Sequence, residues 1–188
     1  AVIGYLSASK EWAIRKGEPD AWKDFWTGES RSYYFMGKDN IIFHSILWPA
    51  MLMGNKHLNL PFDVPANEFL NMEGFKLSTS RNWAVWIPDY LDRYEPDPLR
   101  YVIASNLPES SDSDFSWGEY LRANNDELVA TYGNLIHRVL SMTYNYFDGH
   151  IPSYGSIDPE CEDLLDKSDK TLLIVGESIE KTQFRKAL

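Results

Sequence analysis

The chain has 188 residues, of which 44% are hydrophobic and 14% aromatic, and a formal net charge of −10. This composition can bury a proper core, which excludes an intrinsically disordered chain, and its acidity excludes a general basic coat for nucleic acid. The single cysteine excludes an internal disulfide and a cysteine-rich zinc cluster, and it fits a cytoplasmic protein.

The N-terminal stretch AVIGYLSASKEWA begins in apolar sequence and lacks the charge-then-apolar order of a signal peptide, so we expect a fragment of a longer protein. No apolar run reaches the roughly 18 residues of a membrane span, and no membrane partner is expected. Ser7 or Ser9 is predicted to cap a first helix that ends at Lys16. The stretch Ala21–Trp26 predicts a second, short helix.

An aromatic run, SYYFMG, ends at Gly37 and predicts a buried parallel strand. Asp39 is then predicted to cap a helix that runs to Met53 and ends at Gly54. A strand followed by Gly-Lys-Asp and a helix is half of a βαβ unit.

The next segment, NEFLNMEGFKLS, predicts a strand, a Glu-Gly turn and a second strand, and IPDYLDRY and DPLRYVIASNLP predict two short helices. Apolar residues recur at intervals of three and four from Trp117 to Phe147, which predicts a long helical segment. The tail Asp158–Leu188 is predicted to form two helices broken near Gly176. The chain is thus expected to change from mixed α/β to all-α near residue 115.

The stretch GFKLSTSRNW, Gly74–Trp83, places two cations among small hydroxyl residues. One interpretation is a solvated turn with a cationic face. The other is a phosphate site, where Lys76 and Arg81 neutralise charge growing on a transferring phosphoryl group and Ser78 and Ser80 donate hydrogen bonds. The residue pattern leaves both open.

One histidine, His44, shares a helical face with Asn40 and Trp48, which lie four residues before and after it. It is either a hydrogen-bonded core histidine or the polar group of a ligand pocket. The other three histidines are scattered without nearby ligands, so no metal site is predicted.

Several segments together resemble the methionyl-tRNA synthetase family of class I aminoacyl-tRNA synthetases. In order, they are AVIGY, FMGKDNIIFHSILWPAML, NEFLNMEGFKLSTSRNW, DPLRYVIASNLPE and SDFSW…NNDEL…YGNLIHR. The resemblance covers roughly Ala1 to Phe147. It implies the C-terminal half of a Rossmann-type catalytic domain with a stem-contact region, followed by a helical-bundle anticodon-binding domain. The implied boundaries are 1–82 for the partial catalytic domain, 83–115 for the stem-contact region and 116–188 for the partial anticodon-binding domain.

The same resemblance implies functional residues. The implied methionine-binding residues are Ala1, Tyr5, Asn40, Phe43, His44 and Trp48. The implied ATP-binding residues are Gly37, Asp39, Leu70 and Lys76. The implied catalytic loop, which corresponds to the family's KMSKS loop, contains Lys76, Ser78, Thr79, Ser80 and Arg81. The residues implied to contact the tRNA anticodon are Asn134 and Arg138.

The implied activity is that of a methionine–tRNA ligase, which uses methionine, tRNA and ATP with its Mg²⁺ and needs no metal site in this chain. Three residues depart from the family pattern: Thr79 replaces the second loop lysine, Asn40 an apolar residue and Val2 a proline. The chain carries no HIGH-type motif, N-terminal Rossmann half or zinc-bearing insertion, so the missing catalytic half is an expected partner and the isolated chain is expected to be inactive. Two alternatives are a non-catalytic tRNA-binding module and a ligase for another apolar amino acid.

Overall fold

A computed structural model describes residues 2–153 and 155–188 of the chain. The α-helices are α1 (Gly4–Lys16), α2 (Lys23–Trp26), α3 (Trp48–Asn55), α4 (Ile87–Leu91), α5 (Pro96–Ser105), α6 (Trp117–Arg122), α7 (Asn134–Phe147), α8 (Pro159–Glu180) and α9 (Phe184–Ala187). The strands are β1 (Met36–Gly37), β2 (Ala66–Asn67), β3 (Leu70–Met72), β4 (Phe75–Lys76) and β5 (Ser113–Phe115). A 3₁₀ turn, Lys38–Asn40, and two π-helical segments, Phe43–Leu47 and Ala123–Gly133, complete the regular structure.

The chain forms two compact units. Unit 1 contains the described residues of Ala1–Phe69 together with Glu109–Ser111, and unit 2 contains Leu70–Pro108 and Asp112–Leu188. Mixed helix and sheet precede residue 116, and the regular structure described after it is helical, as the residue pattern predicted.

The core of unit 1 is built on two tryptophans. Trp26 meets Trp48 edge-on, with 5.8 Å between ring centroids, and Leu52 fills the space beside them. Each indole N–H has a partner inside the unit: that of Trp26 donates to the Ser9 hydroxyl at 2.8 Å, and that of Trp48 donates to the Tyr34 hydroxyl at 3.0 Å. These bonds satisfy both buried donors while the rings provide the apolar contact.

The stretch SYYFMG was predicted to form a buried parallel strand. The parallel pairing is confirmed, but the predicted burial is wrong. Strand β1 pairs in parallel with β2, Met36 opposite Ala66, and an isolated parallel bridge joins Tyr33 to Asp63. Phe35 is nevertheless exposed. Because this sheet has only two strands among the described residues, its faces are not covered as those of a larger parallel sheet are.

Three predicted helix boundaries in unit 1 are wrong. Helix α1 begins at Gly4, and the Ser7 and Ser9 hydroxyls, instead of capping it, donate back to carbonyls four residues earlier. The helical segment after β1 has Gly37, not Asp39, at its N-cap position. That segment also continues through Gly54 to Asn55, because Lys56 supplies the left-handed terminating conformation with φ 62°.

Unit 2 is organised by the predicted hairpin. Strand β3 pairs antiparallel with β4 and in parallel with β5, so the sheet order is β4-β3-β5. Glu73 and Gly74 form the two-residue turn with φ 51° and 76°, the pattern of a type I′ hairpin turn. A carboxylate oxygen of Glu73 accepts the Trp117 backbone N–H at 2.9 Å, which stabilises a non-glycine residue in the left-handed region.

The core of unit 2 lies where this sheet meets α4, α5 and α6. Its buried members are Met72, Tyr90, Leu99, Val102, Phe115, Tyr120 and Ala123. The Tyr90 hydroxyl donates to the Glu95 carbonyl at 2.9 Å and lies 2.9 Å from the Tyr120 hydroxyl. Burial and the bond to Tyr120 raise the pKa of Tyr90, so it stays neutral. The predicted helices at IPDYLDRY and DPLRYVIASNLP are confirmed as α4 and α5.

The long helical segment is confirmed, with one irregularity: the helix is α-helical in α6 and α7 and π-helical between them. The predicted break near Gly176 is wrong. Asp158 caps α8 by accepting the backbone N–H groups of Glu160 and Cys161, and the helix runs through Gly176 to Glu180. A single glycine lowers helix stability without ending a helix whose other residues favour it. None of the described helices is both long and apolar enough to cross a membrane.

Candidate functional site

In unit 1, the imidazole of His44 is buried and has both ring nitrogens bonded. His44 lies in the π-helical turn Phe43–Leu47 and is 5% exposed. Its Nδ1 lies 2.9 Å from the Asn40 carbonyl oxygen, which can only accept, so Nδ1 carries the proton. In the tautomer with its proton on Nδ1, Nε2 accepts from the Tyr5 hydroxyl, 2.9 Å away.

A second tyrosine, Tyr34, completes an aromatic group around His44. Its ring centroid lies 5.5 Å from that of Tyr5 and 5.8 Å from that of the imidazole. Its hydroxyl accepts from Trp48, as described above, and burial is the main cause that raises the pKa of Tyr34. Sequence reasoning did not select Tyr34, although the aromatic run before Gly37 was the available signal.

The other predicted residues of unit 1 contribute less to this group. The side chains of Phe43 and Asn40 are exposed, and Asn40 acts on His44 through its backbone carbonyl. Gly37 and Asp39 are exposed at the start of the helical segment. Ala1 lies outside the described residues.

In unit 2, the Lys76–Trp83 loop is closed by backbone hydrogen bonds. The N–H of Ser78 donates to the Trp83 carbonyl and the N–H of Trp83 to the Ser78 carbonyl, both at 2.9 Å. The Ser78 hydroxyl lies 3.2 Å from that of Ser80 and accepts the Arg81 backbone N–H at 3.3 Å. The Trp83 indole N–H donates to the Met72 carbonyl at 2.9 Å and anchors the loop on β3.

The side chains of this loop line two different hollows. The larger, of about 590 Å³, is mainly apolar and is lined by Leu70, Met72, Leu77, Ser78, Thr79, Ala84, Val85, Ile87, Leu99, Ile103 and Phe115. The smaller, of about 290 Å³, is lined by Phe75, Lys76, Arg81 and Trp83. The structure therefore brings Leu70 together with the hydroxyl residues Ser78 and Thr79, and Lys76 together with Arg81.

The two predicted anticodon contacts lie on α7. Asn134 and Arg138 are exposed and four residues apart, so they share one helical face. Arg122, another cation of unit 2, forms ion pairs with two carboxylates. Its guanidinium lies 2.8 Å from Glu119 and 2.7 Å from Glu127. These bonds raise the pKa of Arg122.

Within residues 2–153 and 155–188, no group of three or more His, Cys, Asp or Glu side chains is arranged to hold a metal ion.

Comparison with known proteins identifies relatives across the whole chain. The family model of class I tRNA synthetases (M) matches residues 1–140. The chain is 55% identical over 188 residues to the methionine–tRNA ligase of Dehalococcoides mccartyi strain CBDB1 and 50% identical over 189 residues to that of Thermomicrobium roseum. All of this chain is covered in both cases, but only 34% and 32% of the relatives, so the chain spans about a third of their length.

A solved structure is also similar. The structure of Mycobacterium tuberculosis methionyl-tRNA synthetase bound by methionyl-adenylate is 28% identical, with a TM-score of 0.78 over 88% of this chain and 32% of that one. The family model alone covers well over half of the sequence. The chain belongs to the class I tRNA synthetase family that the methionine–tRNA ligases represent.

Proposed function

We propose that this chain supplies part of the active site of a methionine–tRNA ligase, which activates methionine with ATP and transfers it to tRNA. The observation that carries the proposal is the buried His44 imidazole bonded to Tyr5, in a chain 55% identical to a methionine–tRNA ligase over its full length. Because the chain spans about a third of such relatives, we propose that it does not turn over substrate alone.

The methionine side chain is proposed to bind at the group formed by Tyr5, His44 and Trp48, with Asn40 and Phe43 beside it. Aromatic walls suit a flexible, polarisable thioether. The Nδ1 proton of His44 is committed to the Asn40 carbonyl and the Tyr5 hydroxyl proton to His44 Nε2. A hydrogen bond to the sulfur therefore requires the Tyr5 hydroxyl to rotate away from His44, and apolar contact supplies most of the affinity.

ATP is proposed to bind as its Mg²⁺ complex, and the residues that the family resemblance implies for it are Gly37 and Asp39 in unit 1 and Leu70 in unit 2. The methionine carboxylate attacks the α-phosphorus, the bond to the β-phosphate oxygen breaks, and pyrophosphate leaves. Lys76 and Arg81 would neutralise the negative charge that grows on the phosphoryl oxygens. A ribose hydroxyl of tRNA then attacks the adenylate carbonyl and AMP leaves.

Because Thr79 is uncharged, we propose that Lys76 and Arg81 provide the stabilisation of the phosphoryl charge. Where the family pattern has a second lysine, Thr79 is one of the residues that line the apolar hollow. The hydroxyls of Ser78 and Ser80 remain as further donors to the phosphates.

The finer architecture follows the same proposal. Residues 1–82 would be the C-terminal half of a Rossmann-type domain, residues 83–115 a stem-contact region, and residues 116–188 the start of an anticodon-binding bundle in which Asn134 and Arg138 read unstacked bases. The protein would act in the cytoplasm.

A chimaeric enzyme tests the proposal. This chain replaces the matching third of the D. mccartyi ligase, and ATP–pyrophosphate exchange is measured with methionine, leucine or isoleucine. We expect exchange with methionine only. Exchange with leucine or isoleucine instead would assign the pocket to another amino acid, and no exchange by a folded chimaera would refute a catalytic role.

A second candidate function is a non-catalytic tRNA-binding module, and the loss of the loop lysine at Thr79 is the observation that favours it. A module of this kind would bind tRNA in the folded chimaera and show no amino-acid-dependent exchange. The exchange assay therefore separates the two functions.

A further inference from the structure

We propose that Glu127 is a positioning residue for recognition of the anticodon. It holds the π-helical segment Ala123–Gly133 in the register that sets the orientation of the α7 face carrying Asn134 and Arg138. The inference rests on the proposed function for the role of that face, and it adds a residue that acts through protein contacts. All of these residues belong to unit 2.

The π-helical register extends to the first residue of α7. The backbone N–H of Asn134 is shared between the carbonyls of Thr131 and Val129, and the second of these lies five positions earlier, as in a π turn. The Thr131 hydroxyl donates to the Asp126 carbonyl, also five positions earlier, at 2.7 Å. Because a π turn contains more residues than an α turn, a change from one to the other would rotate Asn134 and Arg138 together about the helix axis.

A glycine allows the backbone to approach itself where the π-helical segment ends. A Cβ atom at Gly133 would lie 3.1 Å from the carbonyl oxygen of Leu128, five positions earlier. That separation is shorter than an ordinary van der Waals contact, so a side chain there would push against the last π turn. Glycine at this position is therefore compatible with the π register.

Glu127, in the middle of the segment, binds two other helices through its two carboxylate oxygens. The Tyr101 hydroxyl on α5 donates to Oε2 at 2.6 Å, and the Arg122 guanidinium at the end of α6 donates to Oε1 at 2.7 Å. The bond from Tyr101, followed by the bond from Arg122, lowers the pKa of Glu127, which favours the carboxylate that accepts from both donors. One side chain thus ties the π-helical segment to α5 and to α6.

The neighbouring carboxylate of Glu119 provides a comparison. It also binds Arg122, at 2.8 Å, but both of these residues lie in α6, so this ion pair does not join two elements. An exposed ion pair within one helix contributes little to stability. The Tyr101–Glu127 bond spans 26 positions and fixes the π-helical segment against another helix, which is what a positioning role requires.

The test measures binding of two labelled RNA stem-loops to the 188-residue chain by fluorescence anisotropy. The matched loop carries the methionine anticodon, and the replaced loop has all three anticodon bases changed. We expect Glu127→Ala to weaken binding of the matched loop about 2- to 30-fold and to leave the replaced loop unchanged, because only base reading depends on the α7 face. Tyr101→Phe should act in the same direction. Glu119→Ala is the matched control and should bind both loops like the unchanged chain.

Two further measurements separate positioning from other roles. A general loss of structure would weaken both loops alike and would lower the helicity measured by circular dichroism. Because Tyr101→Phe removes a single hydroxyl, it reports the effect even where Glu127→Ala loses helicity. In an Asn134→Ala background, Glu127→Ala should have little further effect on the matched loop, since it acts through the face that Asn134 belongs to.

Unchanged binding of the matched loop by both Glu127→Ala and Tyr101→Phe would overturn the inference. Equal weakening of the two loops, a full effect of Glu127→Ala in the Asn134→Ala background, or failure of the unchanged chain to prefer the matched loop would also overturn it. ATP–pyrophosphate exchange requires no tRNA. Failure of the proposed function, seen as missing exchange in the chimaera, is therefore a separate result.

Discussion

Replacement of Tyr5 by phenylalanine tests the hydrogen-bonded arrangement around His44. The substitution keeps the ring contacts with Tyr34 and His44 and removes only the hydroxyl that donates to Nε2. An unsatisfied buried polar group costs about 1–3 kcal/mol. Because Tyr5 is 46% exposed, water can partly replace the hydroxyl, and we expect the lower part of that range, about 1–2 kcal/mol.

Thermal unfolding of the 188-residue chain, followed by circular dichroism, measures this cost. For a protein of this size each kcal/mol shifts Tm by about 2–4 °C, so we expect a decrease of about 2–8 °C. In a His44→Leu background the same Tyr5→Phe change should have little effect, because the acceptor is gone. Tyr144→Phe, at a residue 74% exposed on α7, is the control and should stay within about 0.5 kcal/mol. An unchanged Tm for Tyr5→Phe, or an equal decrease in both backgrounds, would refute the arrangement.

Two further predictions concern stability. Leu52→Ala removes a side chain that is 1% exposed and should lower the free energy of unfolding, measured by chemical denaturation, by about 2–5 kcal/mol. The control Leu47→Ala, at an exposed site, should lower it far less. Similar losses in the two variants would contradict the described core of unit 1. The N–H groups at the start of α8, chiefly that of Cys161, lower the pKa of the Asp158 carboxyl below its ordinary 3.8. Its contribution to helix stability is therefore present above pH 3.8 and lost as the pH falls through the lowered value. Asp158→Asn should keep a cap and lose this pH dependence of helicity, and an unchanged acid transition would refute the role of Asp158.

The hairpin of unit 2 was predictable because its determinants are local. The Glu-Gly pair between two short apolar runs predicts a two-residue turn, and the left-handed φ angles of Glu73 and Gly74 fulfil it. The contact that holds Glu73 in that conformation, the Trp117 N–H, lies 44 positions away and has no local signal.

The helix boundaries in unit 1 were less predictable. A serine near a helix start favours an N-cap. In α1, however, the hydroxyls of Ser7 and Ser9 donate to carbonyls four residues earlier. The Ser9 hydroxyl also accepts the Trp26 indole N–H. For Ser9, the tertiary contact with Trp26 outweighs a capping preference that is worth only about 1 kcal/mol.

The sequence proposes individual residues for the candidate site, but it does not predict how their side chains group in space. The pairing of His44 with Tyr5 spans 39 positions, and the residue pattern left a core histidine and a ligand pocket open. The loop residues appeared as one cationic cluster, whereas the structure distributes Thr79 and Lys76 between two hollows. Which way a loop side chain points depends on backbone hydrogen bonds, such as those between Ser78 and Trp83, that composition does not reveal.

The rate of methionine-dependent ATP–pyrophosphate exchange by the chimaera with Lys76→Gln, against the same chimaera unchanged, tests the central claim most directly. If the Lys76 ammonium stabilises charge on the transferring phosphoryl group, kcat should fall about 100- to 1,000-fold while the KM for methionine changes little. The matched Lys56→Gln variant, at an exposed cation after α3, should keep its rate. A Lys76→Gln chimaera that exchanges as fast as the unchanged one would contradict the account.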